Sequence, residues 1–321
     1  MERPAARPVP GAHSRARLRR VALALLLAGA GAGVPASDVR LVLLGTAGGP
    51  TPKRTRAAPA QALQVGDAVY VVDCGNGVAR QMALAGLRFV DLRHVFLTHH
   101  HSDHAADLVT LPLVAWAAGN DGPLTLHGPL PLRRSVKAGL RAHAFDLDLR
   151  RRDEGRAALR RRLQVHQFRG DGVVHRDARV TVRAARVEHP PIAESYAYRF
   201  DVGDRSVVIS GDTAPAASLV RLARGADLLV HEVLLLDPQE VARWTDEPPD
   251  HPLVRHIVRS HTSYRDVGRI AGDAGVGRLV LSHFVPGDAP LDREAVLDAI
   301  RNDFAGDVVF GEDLMVLEIA D

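Results

Sequence analysis

The segment Leu97-Thr98-His99-His100-His101-Ser102-Asp103-His104 constrains this chain more than any other, and it directly follows the apolar run Val95-Phe96-Leu97. Imidazoles and a carboxylate packed so closely are costly to place and suit little except metal binding. In an extended loop, side chains two apart point the same way, so His99 and His101 can grip one ion together. Asp103 and His104 fall at the start of the next helical stretch and face a second ion. Imidazole and carboxylate without a thiolate suit zinc. His100, between two ligands, is expected to point away. The plain alternative is a histidine-rich surface turn; the added Asp-His pair and the strand-then-helix setting argue against it.

If these residues hold metal, further ligands belong at strand ends downstream, and three stand there. His189 ends the strand-like run Val180–Val187 in Glu188-His189-Pro190. Asp212 follows Val207-Val208-Ile209 in Ser210-Gly211-Asp212-Thr213, and His283 follows Leu279-Val280-Leu281-Ser282. Each alone is weak; together and in this order they form a constellation.

The pattern around them is of mixed α/β type. A strand is predicted at Val39–Leu44, then a hairpin of Ala62–Val65 and Ala68–Val72 turning at Gly66-Asp67. A helix follows from Val78 to Ala85, a strand reaches Thr98, and the histidine loop leads into one helix running to Ala118. Leu124–Leu126 is a short strand and Leu132–Ala142 a helix. Later strands are predicted at Val180–Val187, Tyr196–Val202, Ser206–Ile209, Leu228–Val230 and Arg278–Leu281, with two short ones closing the chain. Helices are predicted at Pro215–Ala223, Tyr264–Ala274 and Leu291–Asn302. Hairpins mixed with strand–helix units argue for two mixed sheets packed face to face with helices outside.

The first 36 residues read as a cleavable export signal. Four arginines lie in Arg15–Arg20, an apolar run follows from Val21 to Ala32, and Val34-Pro35-Ala36 offers a cleavage site before Ser37. The run is shorter than the ~20 residues a bilayer span needs, so no stable membrane anchor is expected. Arg19-Arg20 before Val-Ala-Leu23 partly resembles a twin-arginine signal. The expectation is a periplasmic or secreted protein, with residues 37–321 as one domain. The formal charge of +3 includes six Arg and one Glu from residues 1–36, so residues 37–321 carry about −2 and give no global case for nucleic acid. The one cysteine, Cys74, excludes an intramolecular disulfide and reads as a buried structural thiol. Residues 133–162 hold eleven Arg or Lys against four acids. They read either as a basic rim for an anionic substrate or as solvated surface.

On these motifs the chain resembles the metallo-β-lactamase superfamily over nearly all of residues 37–321. The likeness is greatest to the ribonuclease Z and arylsulfatase-like branch. The supporting residues are Leu44-Gly45-Thr46-Ala47-Gly48-Gly49-Pro50, Val72-Asp73-Cys74-Gly75-Asn76-Gly77, Ser210-Gly211-Asp212-Thr213, His231-Glu232 and His261. The resemblance implies a four-layer αβ/βα sandwich with two Zn2+ at its edge, Mn or Fe being the alternatives. By it, His99, His101 and His189 hold one metal, Asp103, His104 and His283 the second, and Asp212 bridges them. It also makes His261 the candidate proton donor, Glu232 its support and Asp103 an orienting base, with His231 bracing the site.

Several departures narrow the reading. Common class B β-lactamases lack a bridging Asp and use a downstream Cys ligand, whereas Asp212 is present here and Cys74 precedes the motif. Flavin-diiron relatives place Glu where His101 stands. Ribonuclease Z enzymes resemble the chain at Pro52-Lys53-Arg54-Thr55-Arg56, but Ala57 stands where Asn usually follows. Most also carry a long tRNA-clamping arm, and only 22 residues separate His189 from Asp212 here. With the export signal, tRNA is not the expected substrate. The expectation is an exported dinuclear-zinc hydrolase that cleaves phosphodiester or sulfate esters of small anionic substrates through a metal-bridging hydroxide. A homodimer is compatible with it. Phe284-Val285-Pro286 and Pro190-Pro191-Ile192 are expected to wall the pocket. The alternatives are a lactone or thioester hydrolase on the same metal core, and a nucleic-acid-binding module built on the Arg-rich segment.

Overall fold

Alternation along the strands sorts apolar residues onto two faces. In β1 (Val39–Gly45), Val39, Leu41 and Leu43 join one core while Val42 and Leu44 join another. In β3 (Ala68–Val72), Ala68, Tyr70 and Val72 face the first core, and Val69 and Val71 the second. Such strands are buried on both faces, which requires layers above and below. The protein is described from a computed structural model, which covers residues 39–288 and 291–319. The export-signal reading of residues 1–36 lies outside the described residues.

The first seven-stranded sheet runs β14 (Val316–Glu318), β1, β2 (Ala60–Val65), β3, β4 (Leu92–Phe96), β5 (Leu124–Gly128) and β6 (Leu163–Gln167). The second runs β13 (Asp307–Phe310), β12 (Arg278–Val285), β11 (Leu228–Leu234), β10 (Arg205–Ile209), β9 (Tyr196–Val202), β8 (Thr181–Arg186) and β7 (Gly172–Arg176). Between them lies the layer of Tyr70, Phe96, Tyr198 and Phe200, where Phe96 and Phe200 meet edge to face at 5.3 Å. Helices α1 (Val78–Leu84), α3 (Thr110–Ala117) and α4 (Leu132–Ala142) cover the outside of the first sheet. Helices α6 (Ala217–Ala223), α9 (Tyr264–Ala274) and α10 (Arg293–Arg301) cover the second. This is the four-layer αβ/βα sandwich, and the expected fold class holds.

Parallel pairing positions the site. β3 pairs parallel with β4, and β10, β11 and β12 pair parallel in sequence. Their C-terminal ends therefore open on one edge of the sandwich, where ligands gather in sheets of this kind.

The expected single helix from the histidine loop to Ala118 is broken. α2 (Ser102–Ala105) ends, and α3 starts afresh at Thr110. The cause is non-local: Cys74 N–H donates to the His104 carbonyl at 2.7 Å. Leu108 N–H turns to Ala105 instead, and the helical register is lost. Gly75 makes that approach possible, since a Cβ there would lie 2.6 Å from the Asp103 carbonyl oxygen.

The sequence patterns missed α5 (Ala144–Asp153), β6, β7, α7 (Pro238–Thr245) and α8 (Pro252–Ser260). α7 carried a readable signal: Asp237 and Glu240 form a capping box, with Pro238 opening the helix. The Arg-rich stretch partly neutralises itself, since Arg150 pairs with Asp146 and Glu154, and Arg151 with Asp148. Among the described residues no helix is long and apolar enough to cross a membrane.

Candidate metal centre

The seven residues singled out by pattern meet at the sheet edge. His99 and His101 follow β4 in extended backbone, and Asp103 and His104 stand in the first turn of α2. The loops carrying His189 and Asp212 are tied together where Ala214 N–H donates to the Glu188 carbonyl at 2.7 Å. Asp212 follows Gly211, whose φ of +60° side-chain-bearing residues rarely adopt and where a Cβ would come within 3.0 Å of the Thr98 side chain. His283 lies inside β12 at a bulge, because Glu232 pairs with Ser282 and Val233 with Phe284. Its φ of +42° re-aims the ring out of the ladder and into the site.

Two ligand sets result. His101 Nδ1 lies 3.1 Å from His99 Nε2 and 3.0 Å from His189 Nε2. Asp212 Oδ2 lies 3.9 Å from His99 Nε2 and 4.0 Å from His189 Nε2. On the other side, His104 Nε2 and His283 Nε2 are 3.2 Å apart. Both are 3.2 Å from Asp212 Oδ1 and 3.7 Å from Asp103 Oδ2. Tetrahedral zinc with ~2.0–2.1 Å bonds has ligand–ligand edges of about 3.4 Å, and these distances scatter around that value. Asp212 thus turns one oxygen to each set.

The hydrogen bonds behind the rings test whether a cation fits. His104 Nδ1 donates to Asp73 Oδ2 at 2.7 Å. His189 Nδ1 donates to the Ser260 carbonyl at 2.8 Å. The Thr98 hydroxyl donates to Asp73, so at 3.0 Å it accepts from His99 Nδ1. These partners fix the three rings as tautomers whose Nε2 lone pairs point inward. Bare lone pairs converging within about 3–4 Å of the inward face of a buried carboxylate repel one another unless a cation lies between them. Asp212 Oδ1 has no hydrogen-bond partner in the protein, as a ligand atom requires. The residues fit divalent metal.

Electrostatics agree. Burial lowers His99 well below the usual imidazole range and His189 to about 4, so both are neutral ligands at pH 7. Burial also opposes charge on Asp103, but His104 and His283 outweigh it and hold the carboxyl at about 2. Against burial, Asp212, Asp73 and Asp103 push His104 up, so a metal there competes with a proton.

Asp73 is the residue that pattern reading left without a role. It follows β3 at a φ of +62°, accepts from Thr98 N–H at 2.8 Å, and orients His104. Asp73→Asn is expected to weaken metal binding by about 10–100-fold, the usual effect of losing a carboxylate behind a ligand histidine. Competition with a chromogenic chelator measures it, and unchanged affinity would remove Asp73 from the centre.

His261 and Glu232 lie beside the second ligand set. His261 Nδ1 is 3.3 Å from Glu232 Oε1, and its ring stacks on His283 at 5.8 Å. Glu232 Oε1 also accepts from Thr213 N–H and Thr262 N–H, which anchors it. Burial works against a charged His261, yet Glu232 outweighs it, with help from Asp212 and Asp103, and the ring is pushed up to about 9. His231, expected to brace the site, donates from Nδ1 to the adjacent Glu232 carbonyl at 2.6 Å. His100 points away, with Nε2 3.1 Å from the Pro129 carbonyl. Cys74 is buried, and burial lifts its thiol well above the usual range.

Two clefts meet at Asp103. One, of about 520 Å³, is bounded by Trp244, Leu253, Ile257, Val285 and Pro286 and exposes His261 and His256. The other, of about 600 Å³, carries Lys53, Arg56 and Arg80. Of the expected wall, Val285 and Pro286 are in place. Phe284 instead packs into the second sheet's helix layer, and Pro190-Pro191-Ile192 are not among the lining residues. The missed helices α7 and α8 supply the apolar wall in their stead.

The profile of the β-lactamase superfamily domain matches residues 69–284. Ribonuclease Z of Mycobacterium bovis (strain BCG / Pasteur 1173P2) is 34% identical over 284 residues, spanning 88% of this chain and 98% of that protein. Ribonuclease Z of Mycobacterium sp. (strain KMS) is 35% identical over 283 residues, spanning 88% and 96%. Among solved structures, the short form of human tRNase Z matches with a TM-score of 0.64 at 21% identity, covering 88% of this chain and 100% of that one. Zn2+-bound PqqB from Methylobacterium extorquens matches with a TM-score of 0.59 at 17% identity, covering 87% and 99%. At such identities these two show the fold.

Fold, site and matches define a metal-dependent hydrolase of the metallo-β-lactamase superfamily. Within that superfamily the chain belongs with the ribonuclease Z relatives. An alignment at 34% identity spans 98% of a protein named Ribonuclease Z, so Ala57 and the short His189–Asp212 interval do not set the chain outside that family. Lys53 and Arg56 keep cations in the cleft even though Ala57 replaces Asn.

Proposed function

We propose that the chain is a dinuclear-metal phosphodiesterase of the ribonuclease Z type, acting on RNA or nucleotide phosphodiesters. The observation that carries the reading is Asp212, with one carboxylate oxygen toward each of two histidine sets. His99, His101 and His189 would hold one metal, Asp103, His104 and His283 the other, and Asp212 both. Zinc there supplies Lewis acidity and a nucleophilic hydroxide at neutral pH.

The chain's own residues do the rest. Lys53 and Arg80 meet phosphate charge flanking the scissile bond, and Trp244 with Leu253 offers an apolar face to a base or aryl group. Asp103, held ionised at the junction of the clefts, would orient the attacking oxygen by accepting its hydrogen bond. His261, charged beside Glu232, donates one to the leaving oxygen. Helix α4 starts close to the centre, since the Pro129 carbonyl just ahead of it contacts His100. Arg133, Lys137 and Arg141 on α4 line a further cavity of about 630 Å³, a charge pattern suited to an RNA backbone. The relatives named Ribonuclease Z favour this substrate over the expectation against tRNA. Export of residues 37–321 belongs to the same proposal, and would present the enzyme with RNA or nucleotide esters outside the cytoplasm.

A substrate panel on zinc-loaded protein tests the reading: a bis-aryl phosphate, an RNA with a 3′ extension, an aryl sulfate and a lactone. Both phosphodiesters are expected to exceed sulfate and lactone by about 10²-fold or more in kcat/KM, a gap of roughly 3 kcal/mol in transition-state binding. A lactone turned over as fast would favour the carboxylic-ester alternative. In the same panel Trp244→Ala is expected to raise KM for RNA by about 10-fold with kcat nearly unchanged. Stacking on one base is worth ~1–3 kcal/mol and acts on ground and transition states alike. An unchanged KM would remove Trp244 from the substrate path.

A further inference from the structure

A second histidine cluster lies outside the catalytic edge. His94 stands on β4, His127 on β5, His166 on β6 and His175 on β7, with Asp177 just beyond. Register puts them in one layer. Phe96 pairs with His127 and His127 with His166, while His94 is two residues before Phe96 and shares its face. That face is the inter-sheet layer, filled elsewhere by residues such as Tyr70, Val72 and Phe96. Imidazoles in such positions lose solvation and need partners that compensate.

We infer that His94, His127 and His175 form a further metal site for a first-row transition dication such as zinc or copper. One ligand nitrogen from each lies within 4.8 Å of the others. His94 Nδ1 and His127 Nε2 are already 3.1 Å apart, close to the ~3.4 Å edge of a tetrahedral zinc site. The rings of His94 and His175 are 4.0 Å apart between centroids, so a small ring movement closes the third corner. Asp177 provides the carboxylate behind a ligand histidine. It takes the His175 Nε2 proton at 3.1 Å and is itself fixed by the Tyr70 hydroxyl at 2.7 Å and by Arg179 N–H and Val180 N–H. This leaves His175 Nδ1 as a lone pair. Water completes the coordination.

An ion can enter, because the three rings line an open cleft of about 550 Å³ with His166 at its side. The site also has work to do. β6 and β7 are the edge strands of the two sheets, and most of their residues are only partly buried. His94 and His127 belong to the first sheet and His175 to the second, so a bound ion ties the two sheets beside their edge strands. None of its residues belongs to either catalytic ligand set, which keeps this site apart from the catalytic centre.

The test is zinc content by elemental analysis after dialysis against micromolar free zinc, comparing the wild-type chain with His94→Gln and His175→Gln. Each variant is expected to bind one equivalent fewer, to keep its hydrolase activity, and to lose the part of the thermal stabilisation that zinc gives the wild type. The readout is the difference, so it holds whether the catalytic centre takes one ion or two. Copper added to zinc-loaded wild type should show nitrogen hyperfine structure in its electron paramagnetic resonance spectrum, which keeps the test open if a variant misfolds. Equal zinc in all three folded proteins, or a copper spectrum without nitrogen ligands, overturns the site.

Discussion

Asp212→Ala is expected to empty both halves of the catalytic centre and to lower kcat/KM by more than about 10³-fold, equivalent to roughly 4 kcal/mol of transition-state stabilisation. The side chain is nearly inaccessible, and its Oδ1 finds no hydrogen-bond donor in the protein. Its two oxygens serve different histidine sets, at 3.2 Å from His104 and His283 and at 3.9 to 4.0 Å from His99 and His189. One truncation therefore removes a ligand from each metal, whereas His189→Ala removes one from a single set. Elemental analysis should show two equivalents fewer than the wild-type chain for the first and one fewer for the second. His100→Ala is the contrast: its ring contacts the Pro129 carbonyl and stands in neither set, so metal and activity should persist. An Asp212→Ala chain that holds as much zinc as the wild type would mean that the carboxylate is not shared, and the dinuclear proposal would fail with it.

Much of this centre was readable because parallel strands deliver their ends to one edge. Once His99, His101, Asp103 and His104 suggested metal, His189, Asp212 and His283 could be sought at later strand ends, and all seven converge. What could not be read is what depends on contacts far apart in sequence. Asp73 orients His104 across 31 residues, from a left-handed backbone that no local pattern announces. The bulge at His283 exists only against its neighbour β11. β6 and β7 escaped for a different reason: as edge strands they bury little, and His166 and His175 stand where an apolar residue is the usual sign of a strand. The Arg-rich stretch reads either as a basic rim or as solvated surface, and its helix α5 pairs Arg150 with acids one turn to either side, a feature of spacing more than of composition.

The largest selective effect should come from His261→Ala. If the ring protonates the leaving oxygen, alkoxide-like leaving groups should slow by about 10²–10⁴-fold, the usual loss on removing a general acid. An activated aryl oxide departs without a proton and should slow little. The ring is suited to the task because Glu232 Oε1, 3.3 Å from its Nδ1, keeps it charged against burial. Its pKa of about 9 sets the sign of the pH dependence. Turnover of poor leaving groups should hold at neutral pH and fall as pH rises through that value. Metal that takes up the Asp212 and Asp103 charge moves the limb to lower pH, leaving Glu232 as the support. Glu232→Gln should move it lower again, while good leaving groups show no such limb in either protein. Zinc content should stay constant, since His261 belongs to neither ligand set. Equal losses on both kinds of substrate, or zinc lost with the ring, would show that His261 holds the second ligand set in place through its stack on His283 and that another group supplies the proton.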